Sequence, residues 1–323
     1  MKIHNEFLND NSIKHLGSYI NVFKVIDSVN SSFDLFLCDI KELIDLLINS
    51  KPGSKYTLIN RVGLLRAYAK WCIDNKKESN KDVLTMLDSL DIDDIWDKLK
   101  YVVDQKYINH AQYLDITAEL EWEDYNALYY KTLFMAIYEG IYDKDLYSIR
   151  HLRARDIRND CHVLIKKRSG NLYLKITEEL RNNLIELSKI DIWESFSYRG
   201  ENPAKTIMRG EYPDSVFKVT TKSLSSITTK SFKEFCYNKF KKIYKNYLGF
   251  KLKPHSLYLS GLMHKIQIRC KEDSYNINDI FSLHKKDAFF TNYVTKILTE
   301  NGYEYSVYRF RMNIIDFMYV FSE

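Results

Sequence analysis

Four short stretches hold residues whose types and spacing could do chemistry. In KPHSLYLSG, residues 253–261, His255 is followed three positions later by Tyr258 and then by a Ser-Gly pair. Lys166, Lys167 and Arg168 form a basic triplet between two alternating apolar runs. His284, Lys285 and Lys286 stand together, and Tyr293 follows His284 by nine residues. Tyr142 comes two residues after Gly140. An imidazole can move protons near neutral pH, lysine and arginine can hold phosphates, and a phenol is a neutral donor or a latent nucleophile. Each stretch also has a plainer reading. His255 follows Pro254 at an expected helix start and can simply cap it. The triplet would suit any hairpin lying on phosphates, His284 to Lys286 read as an exposed basic turn, and Tyr293 is one of 25 tyrosines.

The elements that must position these residues are mostly helical. Residues 14–50 carry apolar residues at helical spacing, and the Pro-Gly turn at 50–57 offers Ser54 or Thr57 as an N-cap. The clearest helix is TLINRVGLLRAYAKWCID, 57–74, followed by an acidic one near 79–102. These suggest a compact all-helical module over residues 1–107. The second domain, 108–323, opens with YNALYYKTLFMAIYEGI (125–141), apolar enough to be buried and ending at Gly140. A helix over 145–157 should run into a strand, and CHVLIKKRSGNLYLKIT (161–177) reads as a hairpin around Ser169-Gly170. Residues 195–222, with Pro203 and Pro213, read as an irregular loop. Further helices are expected at 177–188, 228–247, 254–270, 276–283, 286–299 and 304–321. The fold class expected is mainly α (α+β), with one small hairpin.

Composition is that of an ordinary globular protein, 45% hydrophobic and 28% charged over 323 residues. No apolar run is long enough to span a membrane, and the N-terminus lacks a signal core, so no membrane partner and a cytoplasmic location are expected. The five cysteines are scattered without metal spacing; they read as reduced thiols, with no metal and no cofactor expected. The net charge of +5 hides an asymmetry. Residues 151–270 carry a balance of +13, whereas residues 111–150 carry −5. A domain-sized basic block is the footprint expected for a polyanion, and nucleic acid is the partner it implies.

A helical module, a linker, and a helical domain with one basic hairpin resemble the tyrosine recombinase (phage integrase) family. The likeness spans roughly 30–300 but is specific at few points. Residues 57–75 look like the DNA-clamping core-binding (SAM-like) domain, and EGIYDKDLYSIRHLRARDI (139–157) like the first catalytic box. LIKKRSGNLYLKI is similar to the catalytic hairpin, KPHSLYLSG to the His-x-x-Arg box, and SLHKKDAFFTNYV (282–294) to the box ending in the nucleophile. In such enzymes a tyrosine attacks a DNA phosphodiester, two arginines neutralise the phosphate oxygens, and a hairpin lysine protonates the leaving group. The resemblance implies these roles for Tyr293, for Lys167 (or Lys166 with a one-residue slip), and for His255 and His284. Both arginine positions hold tyrosine here, Tyr142 and Tyr258. A phenol supplies one neutral hydrogen bond in place of a charged fork, and losing one oxyanion-stabilising donor typically costs on the order of 10²–10³ in rate.

The expectation is therefore a recombinase-fold protein that binds double-stranded DNA sequence-specifically and is not an enzyme. Its role would be that of a phage or mobile-element repressor maintaining lysogeny, and its overall pattern is similar to the recombinase-like repressors of SPβ-type prophages. Candidate DNA contacts are Lys55, Arg61, Arg66 and Lys70 in the first module. In the second they are Arg150, Arg153, Arg155, Lys166, Lys167, Arg168, Lys251, Lys253, His255, Lys285 and Lys286. The alternatives are an active divergent recombinase or relaxase-like nickase using Tyr293 or Tyr258, and an accessory factor binding DNA without sequence preference. The apolar tail, 308–321, is expected to pack on its own domain or to mediate self-association.

Overall fold

A computed structural model describes residues 6–10, 16–99, 101, 106–120, 126–167, 170–195, 204–220, 227–277, 288–303 and 310. Arg168, His284, Lys285, Lys286 and the tail 311–321 lie outside the described residues. The chain divides into two compact units, Met1–Asp104 and Gln105–Glu323. The described residues are mostly helical, with two small antiparallel sheets.

The first unit is helical where described. Its helices are α1 (Leu16–Val29), α2 (Ile40–Asn49), α3 (Lys55–Asp74), α4 (Asp82–Asp88) and α5 (Ile92–Asp97). Residues 14–50 are not one continuous helix. A turn over 30–39 separates α1 from α2, and Asp39 starts α2 with a full capping box to Glu42. The acidic stretch likewise splits, because Asp91 caps a new helix through the N–H groups of Asp93 and Asp94. Ser54 caps α3 by accepting from the Thr57 N–H. The core is aromatic: the Phe7 ring meets Tyr68 and Trp71 edge-on, each at 5.2 Å between centroids.

The second unit is built around α7 (Ala127–Glu139) and α11 (Pro254–Glu272), after α6 (His110–Glu119). Every residue of α7 from Tyr129 to Glu139 is buried, which is what an all-round apolar helix predicts. Gly140 ends it in the left-handed region at φ 111°, where a side chain would be strained. The buried Glu139 carboxylate accepts from the Thr177 N–H at 2.7 Å and from its hydroxyl at 2.5 Å. Burial pushes its pKa up, and the two Thr177 bonds pull it back.

The expected helix at 145–157 is only the single turn α8 (Tyr147–Arg150) followed by a 3₁₀ turn, Ala154–Asp156. Asp143 collects the N–H groups of Asp145, Tyr147 and Ser148, which fixes this segment as a capped turn. The hairpin forms as β1 (His162–Lys167) against β2 (Gly170–Lys175), in a register pairing Lys167 with Gly170. Helix α9 (Glu178–Ser188) follows, capped by Thr177.

The segment 195–222 is corrected. Part of it forms a second sheet, β3 (Ile192–Ser195), β4 (Ala204–Arg209) and β5 (Val219–Thr220), in the order β3-β4-β5. Local pattern hides it because β4 is exposed along most of its length. What anchors the sheet is tertiary: Trp193 packs on Tyr129, Tyr130 and Phe235. Helices α10 (Thr229–Tyr247) and α12 (Ala288–Glu300) complete the described elements.

Within this core the His110 and His264 rings stack at 3.7 Å and 8°, and His110 Nδ1 lies 3.3 Å from the Tyr138 hydroxyl. Burial, then His110 and Lys265, bring the His264 pKa down to about 4, and burial lowers that of His110. Both folded-state values sit below the ordinary 6.5, so folding favours the neutral rings. Their contribution is complete above that value and is lost as pH falls toward 4. His264→Phe should therefore flatten the fall of Tm between these pH limits relative to the native chain; parallel acid limbs would refute this.

Candidate nucleic-acid interface

Three residues expected at the site meet in the second unit. Tyr142 comes from the turn after α7, while His255 and Tyr258 lie one turn apart on α11. Ring centroids are 5.1 Å apart for Tyr142–Tyr258, 5.9 Å for Tyr142–His255 and 6.4 Å for His255–Tyr258. Pro254 occupies the first turn of α11, so the helix begins as Pro254-His255 predicts; Lys253 holds the N-cap position without a side-chain cap bond. Tyr142 and Tyr258 are 5% and 3% exposed, so their rings belong to the core, whereas His255 is half-buried. Tyr237 of α10 joins them: burial raises its pKa, and a hydrogen bond with Tyr142 acts against that rise. Lys233, one turn before, pairs with Asp145 at 3.2 Å. Neither Tyr237 nor Lys233 stands out in the sequence, where α10 reads only as an amphipathic basic helix.

Gly261 explains how α11 comes so close to α7. A Cβ there would lie 1.7 Å from the Tyr138 carbonyl oxygen, so only hydrogen fits. The neighbouring Ser260 hydroxyl donates to the Ser256 carbonyl at 2.9 Å and accepts from the Ile108 N–H at 3.2 Å. The Ser-Gly pair that draws attention in the sequence is thus a packing device in the structure.

Tyr293, on α12, stands in a different setting. Its hydroxyl donates to Asp273 Oδ2 at 2.9 Å, and Arg269 Nε donates to the same oxygen at 3.0 Å. Its ring lies 5.2 Å from that of Tyr275 and 5.6 Å from that of Phe289. Burial, then the bond to Asp273, raises its pKa, the direction opposite to a resting phenolate.

The basic candidates divide by their partners. Lys167 is 9% exposed and its Nζ donates to the Gly302 carbonyl. Lys166 is paired with Asp156 at 3.0 Å and Arg155 with Asp214 at 3.3 Å. Arg150 reaches Glu211 at 2.5 Å, and the Arg153 guanidinium lies 3.2 Å over the Tyr212 ring. In the first unit Arg61 donates to the Ser50 carbonyl at 2.8 Å, at the end of α2, and burial lowers its pKa. Lys55 is joined to Asp93, Arg66 to Asp88 at 3.0 Å, and Lys70 is exposed on α3. Lys251 and Lys253 are exposed just before α11.

A dense basic surface, of which the sequence reading names only Lys251 and Lys253 as candidate contacts, lies further along the chain. Residues 229–253, covering α10 and the turn into α11, contain eight lysines and one acid, Glu234. Lys230, Lys241, Lys245, Lys251 and Lys253 are exposed, beside exposed Asn238 and Asn246. Two further lysines are held by aromatic faces, Lys239 at 3.9 Å over Trp193 and Lys242 at 4.9 Å over Tyr130. Among the described residues no cluster of His, Cys, Asp or Glu could hold a metal, and no helix is long and apolar enough to cross a membrane.

No protein-family model matches the sequence, and no curated protein matches it. Solved structures give distant likenesses. The Tn1549 transposon integrase with circular-intermediate DNA is 12% identical, with 95% of this chain and 96% of that chain covered, at a TM-score of 0.35. The same integrase with transposon right-end DNA gives 11%, 98%, 98% and 0.37, and a lambda integrase dimer on a core site gives 11%, 94%, 96% and 0.36. These values decide nothing about how the chain acts. The expectation that the chain is not an enzyme is corrected: nothing in the described residues supports it. Tyrosines at two positions do not by themselves exclude catalysis.

Proposed function

We propose that this chain binds double-stranded DNA at a defined sequence and acts there as a transcriptional repressor of a phage or mobile element. The observation that carries the reading is the lysine surface of residues 229–253, eight cations against one carboxylate with five lysines exposed. Lys233 is partnered by Asp145, but a lone acid within the segment leaves the other lysines with little internal neutralisation, so phosphates are their natural counterions. Lys239 and Lys242, resting on aromatic rings, would orient α10 against the backbone, and exposed Asn238 and Asn246 are of a type that reads adenine edges. Arg66 and Lys70 on α3 are the corresponding candidates in the first unit. The integrases it is distantly similar to are seen on DNA, which agrees with this reading.

The test is selection of bound sequences from a random DNA pool, followed by gel shift at fixed salt and a promoter fusion in cells. Arg66→Ala should weaken binding to the selected site by a few-fold, and Tyr293→Phe should leave it unchanged. A ratio near one between the selected site and random DNA would refute sequence-specific binding.

A second reading is strand transfer or nicking through Tyr293. It is favoured by the 2.9 Å contact with Asp273, since a carboxylate can take the phenol proton as the oxygen attacks phosphorus and one ester P–O bond breaks, its oxygen leaving as the protonated strand end. A covalent protein–DNA adduct on a nicked substrate, absent in Tyr293→Phe, would establish it; no adduct on the selected site would exclude it.

A further inference from the structure

A groove of about 650 Å³ lies between α1 and α3, and its described lining belongs wholly to the first unit. Val22 and Val25 from α1 and Leu64 from α3 supply apolar surface. Asn21 and Asn60 line it with exposed amides, one from each helix. The other described side chains of the lining carry hydroxyls, with one exception, Arg61. Among the described residues no carboxylate lines the groove.

Arg61 is the central group. It is half-buried, and its Nη1 donates to the Ser50 carbonyl at 2.8 Å and to the Ser50 hydroxyl. A guanidinium has five N–H donors, so these two bonds occupy Nη1 and leave Nε and Nη2. That remaining edge is a fork able to grip a carboxylate with two parallel bonds. Among the described residues Arg61 forms no ion pair, its acceptors being the two neutral oxygens of Ser50. Burial lowers its pKa, and no carboxylate acts against that fall. Arg269 in the second unit is the contrast, since Asp273 and Glu272 flank it and raise its pKa. The end of α2 at Ser50 offsets the Arg61 charge only in part, because a helix C-terminus is equivalent to about half an elementary charge.

We propose that this groove binds a small organic monoanion, a carboxylate beside a neutral amide on an apolar body. The carboxylate accepts from the Nε and Nη2 edge of Arg61, and Asn21 and Asn60 bond the ligand amide. The body lies against Val22, Val25 and Leu64. One guanidinium with no acid beside it suits one negative charge. A zwitterion is disfavoured, because its ammonium would meet no carboxylate in the described lining. The volume falls within the usual range of ligand pockets, roughly 300–1,000 Å³.

Hippurate (N-benzoylglycinate) is the probe, titrated into the full chain without DNA and followed by calorimetry or by shifts of methyl resonances. Saturable binding with a Kd of roughly a millimolar is expected for so small a ligand. Neutral hippuramide should bind about ten-fold more weakly, because it lacks the charge-assisted pair. Arg61→Gln should lower hippurate affinity about ten-fold and leave hippuramide unaffected. If Arg61→Gln does not fold, Asn60→Trp decides, because that position is exposed on α3 and the larger ring fills the groove. Loss of hippurate binding in Asn60→Trp supports the site. Absence of saturable hippurate binding, equal binding of hippuramide, or undiminished hippurate binding in a folded Arg61→Gln or Asn60→Trp chain overturns it. DNA is absent from these measurements, so their outcome is independent of the DNA-binding reading.

Discussion

Gly261→Ala is expected to be the most damaging single methyl that this chain can acquire. The added Cβ would sit 1.7 Å from the Tyr138 carbonyl oxygen and 2.7 Å from its carbonyl carbon. Both are backbone atoms in the buried stretch of α7, so no side-chain rotation relieves the clash. Helices α7 and α11 must separate, and every buried side chain between them loses contact. Overpacking of this kind costs ~3 kcal/mol or more, a large part of the stability of an ordinary domain. Separation would also displace Tyr258 and His255 from Tyr142, because all three are placed by this helix pair. Thermal melts followed by circular dichroism provide the measurement. The control is Gly63→Ala on α3, where nothing lies within 4 Å of an added Cβ. There the same methyl should raise stability by up to ~1 kcal/mol through helix propensity. Equal Tm changes in the two variants would refute the argument.

The second large effect concerns DNA. Changing Lys241, Lys245, Lys251 and Lys253 together to glutamine removes four exposed charges without touching the core. If these lysines neutralise phosphates, the slope of log K against log salt should become shallower by roughly 3–4, about 0.9 for each lost contact. Affinity at moderate salt should fall on the order of 100-fold or more. The far-ultraviolet spectrum and Tm should be nearly unchanged, because the altered side chains are solvated. An unchanged salt slope would move the DNA contact elsewhere. The same variant should lose selected and random sequences alike, since phosphate contacts position the protein and base contacts specify the site.

How much of this was legible before any coordinates? Long apolar periodicity placed α3, α7, α9, α10 and α11 within a few residues, because burying a helix face imposes a repeat that survives in the residue order. Gly140, and Ser54 as one of two N-cap candidates, mark helix ends through local chemistry alone. The sheet β3-β4-β5 was not legible, since its strands are short and β4 shows no alternating burial; Trp193 holds it by contacts with residues far away in the chain. The single turn of α8 reads in the sequence as a longer helix, because the role of Asp143 as a collector of backbone N–H groups leaves no periodic signal.

The candidate site shows the same division. Residue order alone determined that Tyr142 stands two residues after Gly140 and Tyr258 three after His255, and that positive charge concentrates within 151–270. It also determined that a Ser-Gly pair closes KPHSLYLSG. Tertiary structure alone decided what these facts mean physically. It brought Tyr142, His255 and Tyr258 together and tied Lys167 to the Gly302 carbonyl. It set Tyr293 against Asp273. It also made Gly261 the contact point of two helices and left the lysines of 229–253 as the exposed basic surface. Charge and side-chain type are properties of a residue, and they can be read in order along the chain. Burial and pairing are properties of two or more residues brought close by packing, and they exist only once the chain has folded.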